Sequence, residues 1–369
     1  MFVFLPSMKQ ERVLLGMSGG IDSSMSAWYL QQRGYEVVGI TFNTVSPLSS
    51  PDSLHFIQEA KSLAKKLNFE HHVLDVYDDF KTDVIDYFVD EYLKGRTPNP
   101  CIRCNETIKW KLLLEESERL NCDKIATGHY VDIIEEKGIF YIKKGLDSNK
   151  DQSYFLWNLS QEILSKCIFP LGKSLKPDVK AKAHELGFKV IADKKESMGV
   201  CFLQGEDYRQ FIQNLRPNLK DKLANGKIKN TKGETIGTHE GFPFYTIGQK
   251  RGLKLTQNQG EYVAKIIADS NTLITSPKKS LFSNQLKLNT YLINNPNFAE
   301  NKANVDLRIR GLDTVPPTPG SIHLISNELH VEFNTPVWAL TPGQSVVFYQ
   351  NNLVVGGGIV DDFCLIDEA

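Results

Sequence analysis

The chain begins with short runs rich in apolar and β-branched residues, separated by longer stretches in which apolar positions recur every three or four residues. RVLLG (12–16), VVGITF (37–42), HHVLDV (71–76) and KIATG (124–128) have the length and content of buried strands. Between them SSMSAWYLQQRG, SLHFIQEAKSLAKKLN and the stretch from Asp79 to Lys94 carry helical spacing, the first two closing near Gly34 and Asn68. Strand and helix alternate. That predicts an α/β domain: an open parallel sheet with helices on both faces and a ligand site at the carboxyl ends of the strands.

Past about Gly205 the pattern changes. A short helix, DYRQFIQNLR, is followed by glycine-punctuated β segments, GKIKNTKGETIGTHEG, FYTIGQKRGL and YVAKIIADSNTLITS, the last turning at Asp269 to Asn271. From about Lys278 onward KLNTYLI, ANVDLRIRG, SIHLI, LHVEFN and QSVVFYQNNLVVGGGIV read as short strands between turns, the signature of a small β-barrel or sandwich. Three domains are expected: an α/β domain over 1–205, a small β-rich central domain over 206–277 and a C-terminal β-barrel over 278–369.

Composition adds limits. A chain of 369 residues exceeds the size at which one hydrophobic core stops growing. Its hydrophobic share of 41% and charged share of 24% are those of a soluble globular protein, and no apolar run approaches the ~20 residues of a membrane-spanning helix. MFVFLPSMKQ has no basic region ahead of its apolar start and no small-residue cleavage site, so no secretory signal is expected and the cytoplasm is the expected location. A net charge of -1 gives no global attraction to nucleic acid, so such a partner would need local basic patches. Asp207 to Lys232 supplies one: Arg209, Arg216, Lys220, Lys222, Lys227, Lys229 and Lys232 against Asp207 and Asp221, a surplus of five positive charges. For any single member of that run, a solvated surface charge is the alternative.

Six cysteines, Cys101, Cys104, Cys122, Cys167, Cys201 and Cys364, are too scattered for a disulfide framework and predict reduced thiols. Two of them share a C-x-x-C spacing in PNPCIRCNE (98–106). Zinc there would need two further ligands, and no second C-x-x-C or H-x-x-x-H pair is present; His71 and His72, adjacent on a predicted strand, would point to opposite faces. A thioredoxin-like couple lacks its domain context. The chemistry-bearing signal lies earlier, where GMSGGIDSS (16–24) follows the first strand and leads into a helix. Glycines there let backbone N–H groups approach an anion, the helix N-terminus adds partial positive charge, and Ser18, Ser23 and Ser24 can donate hydroxyl hydrogen bonds. Neither a Walker A lysine nor a G-x-G-x-x-G pattern is present.

SGGIDS resembles the PP-loop of the ATP pyrophosphatases, which cleave ATP between the α and β phosphates and adenylate an oxygen of their substrate. This resemblance implies an adenine nucleotide alpha hydrolase-like parallel sheet for the first domain. GRTPNPCIRCNETIKW (95–110), ATGHYV (126–131), LDSNKDQSYFLW (146–157), MGVCFL (198–203), YTIGQKRGL (245–253) and TPGQSVVFY (341–349) follow in order, and together resemble the tRNA-specific 2-thiouridylases over nearly the whole chain. The resemblance implies that the C2 oxygen of uridine 34, the wobble position of tRNA, is exchanged for sulfur. Uracil C2 is a poor electrophile, so ATP would first convert its oxygen to an adenylate, and a protein persulfide from an upstream sulfur-relay donor would then supply the sulfur. One cysteine carries the persulfide and a second releases the terminal sulfur by closing a disulfide with the first.

By position in the family motifs, Cys104 matches the nucleophile and Cys201, ninety-seven residues on, the persulfide carrier. Cys104 opens CNETIKW, read as the start of a helix whose N-terminus would favour the thiolate, and Gly199 and Val200 suggest a mobile loop before Cys201. Cys122, Cys167 and Cys364 read as small buried hydrophobes. ATP contacts carry over to Gly16, Met17, Ser18, Gly19, Gly20, Ile21, Asp22, Ser23 and Gly128, with Asp22 assisting magnesium (Mg2+) or pyrophosphate. Phe42 stands where the family usually has methionine against the adenine, and NTVSPLSSPDS replaces the tryptophan and acidic residues usual after that strand. Asn99, Pro100 and Cys101 would face the target base; at the last position many members carry an aspartate suited to acid–base work. His129, Lys150, Asp151 and Gln152 would lie near the anticodon loop, and Arg308, Ile309 and Gln344 would be tRNA contacts of the last domain. The alternatives are another PP-loop tRNA-modifying or amide-forming enzyme, and an RNA-binding scaffold that uses ATP only as a structural ligand.

Overall fold

In the computed structural model, residues 10–49, 51–194, 199–256, 260–288, 290–295, 298–300, 302–311, 317–326 and 328–363 are described. The chain forms two compact units, one of residues 1–81 with 104–196, the other of residues 82–103 with 197–369.

In the first unit, Arg12–Gly16 (β1), Glu36–Asn43 (β2), Glu70–Asp75 (β3), Lys124–Ala126 (β4) and Cys167–Ile168 form a five-stranded parallel sheet ordered β3, β2, β1, β4 and Cys167–Ile168. β1 is a continuous apolar run because both its faces are covered: Val13, Leu14 and Leu15 are fully buried. Val13 pairs with Val37 on one side and with Lys124 on the other. Helix Ile21–Gln32 (α1) follows β1 and helix His55–Leu67 (α2) follows β2, α2 ending on Asn68 in the left-handed region at φ 55°. From β1 the chain winds outward through β2 and β3, then returns to place β4 on the other side of β1. That reversal opens a crevice at the carboxyl ends of β1 and β4, where doubly wound sheets bind ligands. Val131–Glu136 (β5) and Ile139–Lys144 (β6) add an antiparallel hairpin absent from the expected α/β alternation, turning on Lys137 (φ 53°) and Gly138 (φ 80°).

In the second unit, Gly226–Lys229, Thr235–His239, Lys254–Leu255, Glu261–Ile267 and Thr272–Pro277 make a five-stranded sheet. FYTIGQKRGL is not a strand. A 3-10 turn over Phe242–Phe244 is followed by non-strand backbone with Gly248 and Gly252 at φ 85° and 80°, and Phe242, Phe244 and Tyr245 all enter one core instead of alternating faces. Phe282–Leu288, Thr290–Ile293, Ala303–Arg308, Thr318–Ile325, Glu328–Trp338, Ser345–Gln350 and Leu353–Ile359 build the C-terminal sheet. Phe282–Leu288 pairs with Glu328–Trp338, while Thr290–Ile293, next along the chain, pairs with Leu353–Ile359, so the two ends of the sheet join and it closes as a barrel. Among the described residues no helix is long and apolar enough to cross a membrane.

Candidate active site

The loop between β1 and α1 sits at the sheet's switch point. Met17, 5% exposed, donates its N–H to the Ile40 carbonyl at 2.7 Å and so extends the strand pairing into the loop. Gly19 has φ +70°, and a Cβ there would stand 2.5 Å from the Phe56 carbonyl oxygen, so only glycine fits. Gly20 caps α1 with no side-chain bond of its own. The Ser18 N–H donates to Ser23 Oγ at 3.2 Å, while Ser23 Oγ and Ser24 Oγ donate to the Gly20 carbonyl at 3.1 and 2.8 Å. Gly128, after β4, presses against the first turn of α1: a Cβ would lie 2.7 Å from both Asp22 C and Ser23 N. Loop, helix N-terminus and Gly128 therefore form one compact backbone cradle of the kind that holds phosphate. Ile21 is 7% exposed and packs beneath the cradle, and Phe42 is half-buried near the end of β2.

Asp22 is engaged from two directions. Lys176 Nζ donates to its two carboxylate oxygens at 2.7 and 2.8 Å, and the Tyr130 hydroxyl donates at 2.9 Å. The Lys176 side chain is 6% exposed, and its backbone N–H is bonded to Asp147 Oδ2. Lys176 and Tyr130 did not emerge from sequence. Lys176 lies 154 residues beyond Asp22 in KSLKPDVK, where nothing marks one lysine among its neighbours.

His129 bonds Thr127 Oγ1 through Nδ1 at 2.6 Å, and its ring stacks at 6.1 Å on the fully buried Trp110. Desolvation, reinforced by the Lys109 charge, holds its pKa well below the usual histidine value, so the ring is neutral at neutral pH. Asp151 and Gln152 face inward to backbone. Asp151 accepts from the Gly145 and Ser153 N–H groups and from Ser153 Oγ, and Gln152 Oε1 accepts from the Tyr130 N–H at 3.0 Å. Lys150, beside them, is half-buried.

The helix carrying Cys104 starts earlier than its sequence suggests. It opens at Pro100, with Asn99 Oδ1 accepting the Ile102 N–H at 3.4 Å, so Cys101 lies in the first turn and Cys104 one turn in, followed by a π-helical stretch over Asn105–Lys109. Proline at the first helical position sets the start because its missing N–H has no helical partner to lose. The expected placement of Cys104 at a helix N-terminus is thereby corrected. Its neighbour Asn105, 2% exposed, donates to the Phe155 carbonyl at 2.8 Å, which fixes that turn within the first unit.

Cys201 belongs to the second unit. It is exposed and opens a short 3-10 turn over Cys201–Leu203, between Gly199 at φ 99° and Gln204 at φ 48°. The next residue, Phe202, is packed against Phe88 and Phe211 with ring centroids 5.2 and 5.3 Å apart. In MGVCFL, Met198 lies outside the described residues, as does Cys364. Cys122 and Cys167 are buried, and burial pushes the Cys122 thiol up to about 11 and that of Cys167 well above its usual value.

In the barrel, Arg308 curls onto its own loop, donating to the Arg310 and Gly311 carbonyls at 3.1 and 2.9 Å. Ile309 and Gln344 line a small depression with Arg310, Leu340 and Thr341. Gln344 Nε2 donates to the Thr97 carbonyl at 2.8 Å and lies 3.3 Å from that of Pro98, directly ahead of Asn99.

Models of three domain families match successive parts of the chain: a tRNA methyl transferase HUP domain over residues 11–205, a tRNA methyl transferase PRC-barrel domain over 210–277, and an aminomethyltransferase beta-barrel domain over 287–360. A tRNA-specific 2-thiouridylase of Phocaeicola vulgatus is 41% identical over 358 residues, 95% of each chain. Those of Amoebophilus asiaticus and Cytophaga hutchinsonii are each 40% identical, over 95% of this chain and 95% and 97% of their own. A solved U34-tRNA thiolase from Methanococcus maripaludis shares 22% identity with a TM-score of 0.36 over 58% of this chain and 68% of its own, a likeness too distant to transfer a site. With two-fifths of its residues shared across almost the full length of those relatives, this chain belongs to the tRNA-specific 2-thiouridylase family.

Proposed function

We propose that this protein is a tRNA-uridine 2-sulfurtransferase that replaces the C2 oxygen of uridine 34 with sulfur. The observation that carries the reading is the cradle at the switch point, where Gly19, Gly20 and Gly128 bring backbone to a helix N-terminus with Ser18 and Ser23 beside it. Residues 16–23 and Gly128 hold the phosphates of ATP, and the apolar face of Phe42 takes the adenine. Among the described residues no group of three or more His, Cys, Asp or Glu side chains could hold a metal, and the carboxylate of Asp22 is already bonded to Lys176 and Tyr130. That donor set suits a magnesium ion carried mainly by phosphate oxygens and water, with Asp22 orienting the group next to it.

Adenylation makes the C2 oxygen a leaving group. The terminal sulfur of a Cys201 persulfide then attacks C2, AMP departs, and C2 is left joined to Cys201 through two sulfurs. The Cys104 thiolate attacks the Cys201 sulfur, the S–S bond breaks, and its electron pair stays on the sulfur bonded to C2. The product is 2-thiouridine and a Cys104–Cys201 disulfide, which a dithiol reductant reopens. An upstream persulfide protein reloads Cys201, whose exposure and short anchored turn suit that exchange. Asn99, Pro100 and Cys101 face the unstacked base. His129, Lys150, Asp151 and Gln152 serve the anticodon-loop side, and Arg308, Ile309 and Gln344 act from the barrel. The domains divide the work at about residues 205 and 277, with the cytoplasm as the compartment.

The test is mass spectrometry of wobble nucleosides in tRNA incubated with ATP and a persulfide donor. Wild type yields 2-thiouridine with tRNA-dependent release of AMP and pyrophosphate, while Cys104→Ser and Cys201→Ser yield none. Wild-type thiolation by either variant would refute these cysteine roles, and ATP binding without tRNA-dependent AMP release would point to the scaffold.

A further inference from the structure

Residues 97–100 read Thr-Pro-Asn-Pro, and the two prolines have no N–H to donate. Short of donors, such a segment relies on partners beyond itself in addition to the local bond from the Ile102 N–H to Asn99 Oδ1. Those partners lie in the same compact unit. The Thr97 N–H donates to the Pro342 carbonyl at 2.8 Å, and the Thr97 carbonyl accepts from Gln344 Nε2 at 2.8 Å, with the Pro98 carbonyl 3.3 Å from the same nitrogen. An amide nitrogen carries two hydrogens, so the donor capacity of Gln344 is matched by these two carbonyls. Gly343, at φ +91°, allows this approach, because a Cβ there would stand 2.9 Å from the Thr97 oxygen.

The barrel loop is itself held in place. The Gly343 N–H donates to the Val360 carbonyl at 2.9 Å, and the Val360 N–H to the Gln344 carbonyl at 2.8 Å. On the near side Arg96 bonds Glu91 at 2.6 Å and Asp361 at 2.9 Å, Glu91 being 8% exposed. Arg96 therefore anchors the chain just before Thr97 while Gln344 holds Thr97 and Pro98, and these residues lead straight into Asn99, Pro100 and Cys101.

We infer that Gln344 is a positioning residue: through the carbonyls of Thr97 and Pro98 it sets the placement of Asn99–Pro100–Cys101 against the target base. The inference rests on the proposed 2-sulfurtransferase activity and changes the part assigned to Gln344, whose amide hydrogens are engaged by the protein. A direct RNA contact and a positioning contact separate kinetically. The first contributes to tRNA affinity, the second to the rate once tRNA is bound.

The test uses the full chain with Gln344→Ala, and with Gln344→Glu, which turns an acceptor-only carboxylate toward the two carbonyls. At saturating tRNA the single-turnover rate of 2-thiouridine formation is expected to fall about ten-fold or more in both variants, because misplacement of a reacting group acts on that step. The tRNA dissociation constant stays within about two-fold, less than the loss of one base or phosphate contact would produce. In the absence of tRNA and ATP, amide hydrogen exchange across residues 97–104 becomes faster in both variants than in wild type. Weaker tRNA binding with an unchanged saturating rate would overturn the inference in favour of direct contact, and unchanged exchange or an unchanged rate would overturn it outright. If wild type itself forms no 2-thiouridine, the proposed activity falls, while the exchange measurement still decides whether Gln344 holds the segment.

Discussion

At the scale of single residues the glycine- and serine-rich turn between β1 and α1 was legible and its electrostatics were not. Glycine and serine declare their use in GMSGGIDSS because little else explains so many of them between a strand and a helix. The ion pair on Asp22 depends on a lysine 154 residues away, which only the tertiary fold brings back. That pair is asymmetric. Lys176 is 6% exposed and Asp22 35%, so removing the carboxylate takes the charged partner from a desolvated ammonium, whereas removing the ammonium leaves a carboxylate that water and the Tyr130 hydroxyl still reach. Asp22→Asn should therefore lower stability by about 2 kcal/mol and Lys176→Met by about 1 kcal/mol, both below the figure for a fully buried pair because Asp22 is partly solvated. Urea unfolding of the two variants measures the difference. A larger loss for Lys176→Met would mean that the lysine serves packing more than charge.

Among the elements, Arg12–Gly16 and Glu36–Asn43 were readable because burial on both faces leaves continuous apolar runs, and several barrel strands because one wet face leaves alternation. Glu328–Trp338 shows the latter, burying Leu329, Val331 and Phe333 in turn. Reading failed where a local rule was overridden. Pro100, not Cys104, begins its helix, since proline fits the first turn and Asn99 supplies the cap. The β5–β6 hairpin was missed although VDIIEEKGIFYIKK carries its own signal, two β-rich runs joined by the two residues Lys137 and Gly138. At Gly138 a Cβ would meet nothing within 4 Å, so the φ of 80° is the sole obstacle to a side chain. Gly138→Ala should cost about 1 kcal/mol in urea unfolding, the conformational penalty alone, and leave nucleotide affinity unchanged. A cost several times larger would show that the turn carries packing not visible in its surroundings.

For the molecule as a whole, compactness does not follow chain order. Phe88, Val89 and Tyr92 precede Cys104 and Cys201 in sequence yet share a core with Ile212, Phe242, Phe244 and Val263, a pairing that apolar periodicity cannot specify because it shows which face is buried and not against what. Burial on this scale also sets the response to pH. The fold keeps three histidines neutral. His71 is lowered to about 4, first by desolvation and then by Lys61 and His72; its Nε2 bonds Thr41 at 2.9 Å and its Nδ1 finds no partner among the described residues. His129 is held well below the usual histidine value by desolvation and Lys109, and His239 is lowered by desolvation that the Asn271 carbonyl opposes. In each the folded pKa lies below the unfolded value of about 6.5. Above that pH both states hold the rings neutral and nothing is gained or lost. Below it the unfolded chain takes up protons that the folded chain refuses, so stability falls as pH falls, by at most about 1.4 kcal/mol per pH unit for each histidine. For His71 the loss levels off near pH 4, where the folded ring also protonates. Urea midpoints taken between pH 7.5 and 5 should therefore decline mainly below about pH 6.5, before most carboxylates begin to titrate. His71→Gln should make that decline shallower by removing one of the three rings, and an identical slope in the variant would mean that His71 is as easily protonated in the folded chain as in the unfolded one.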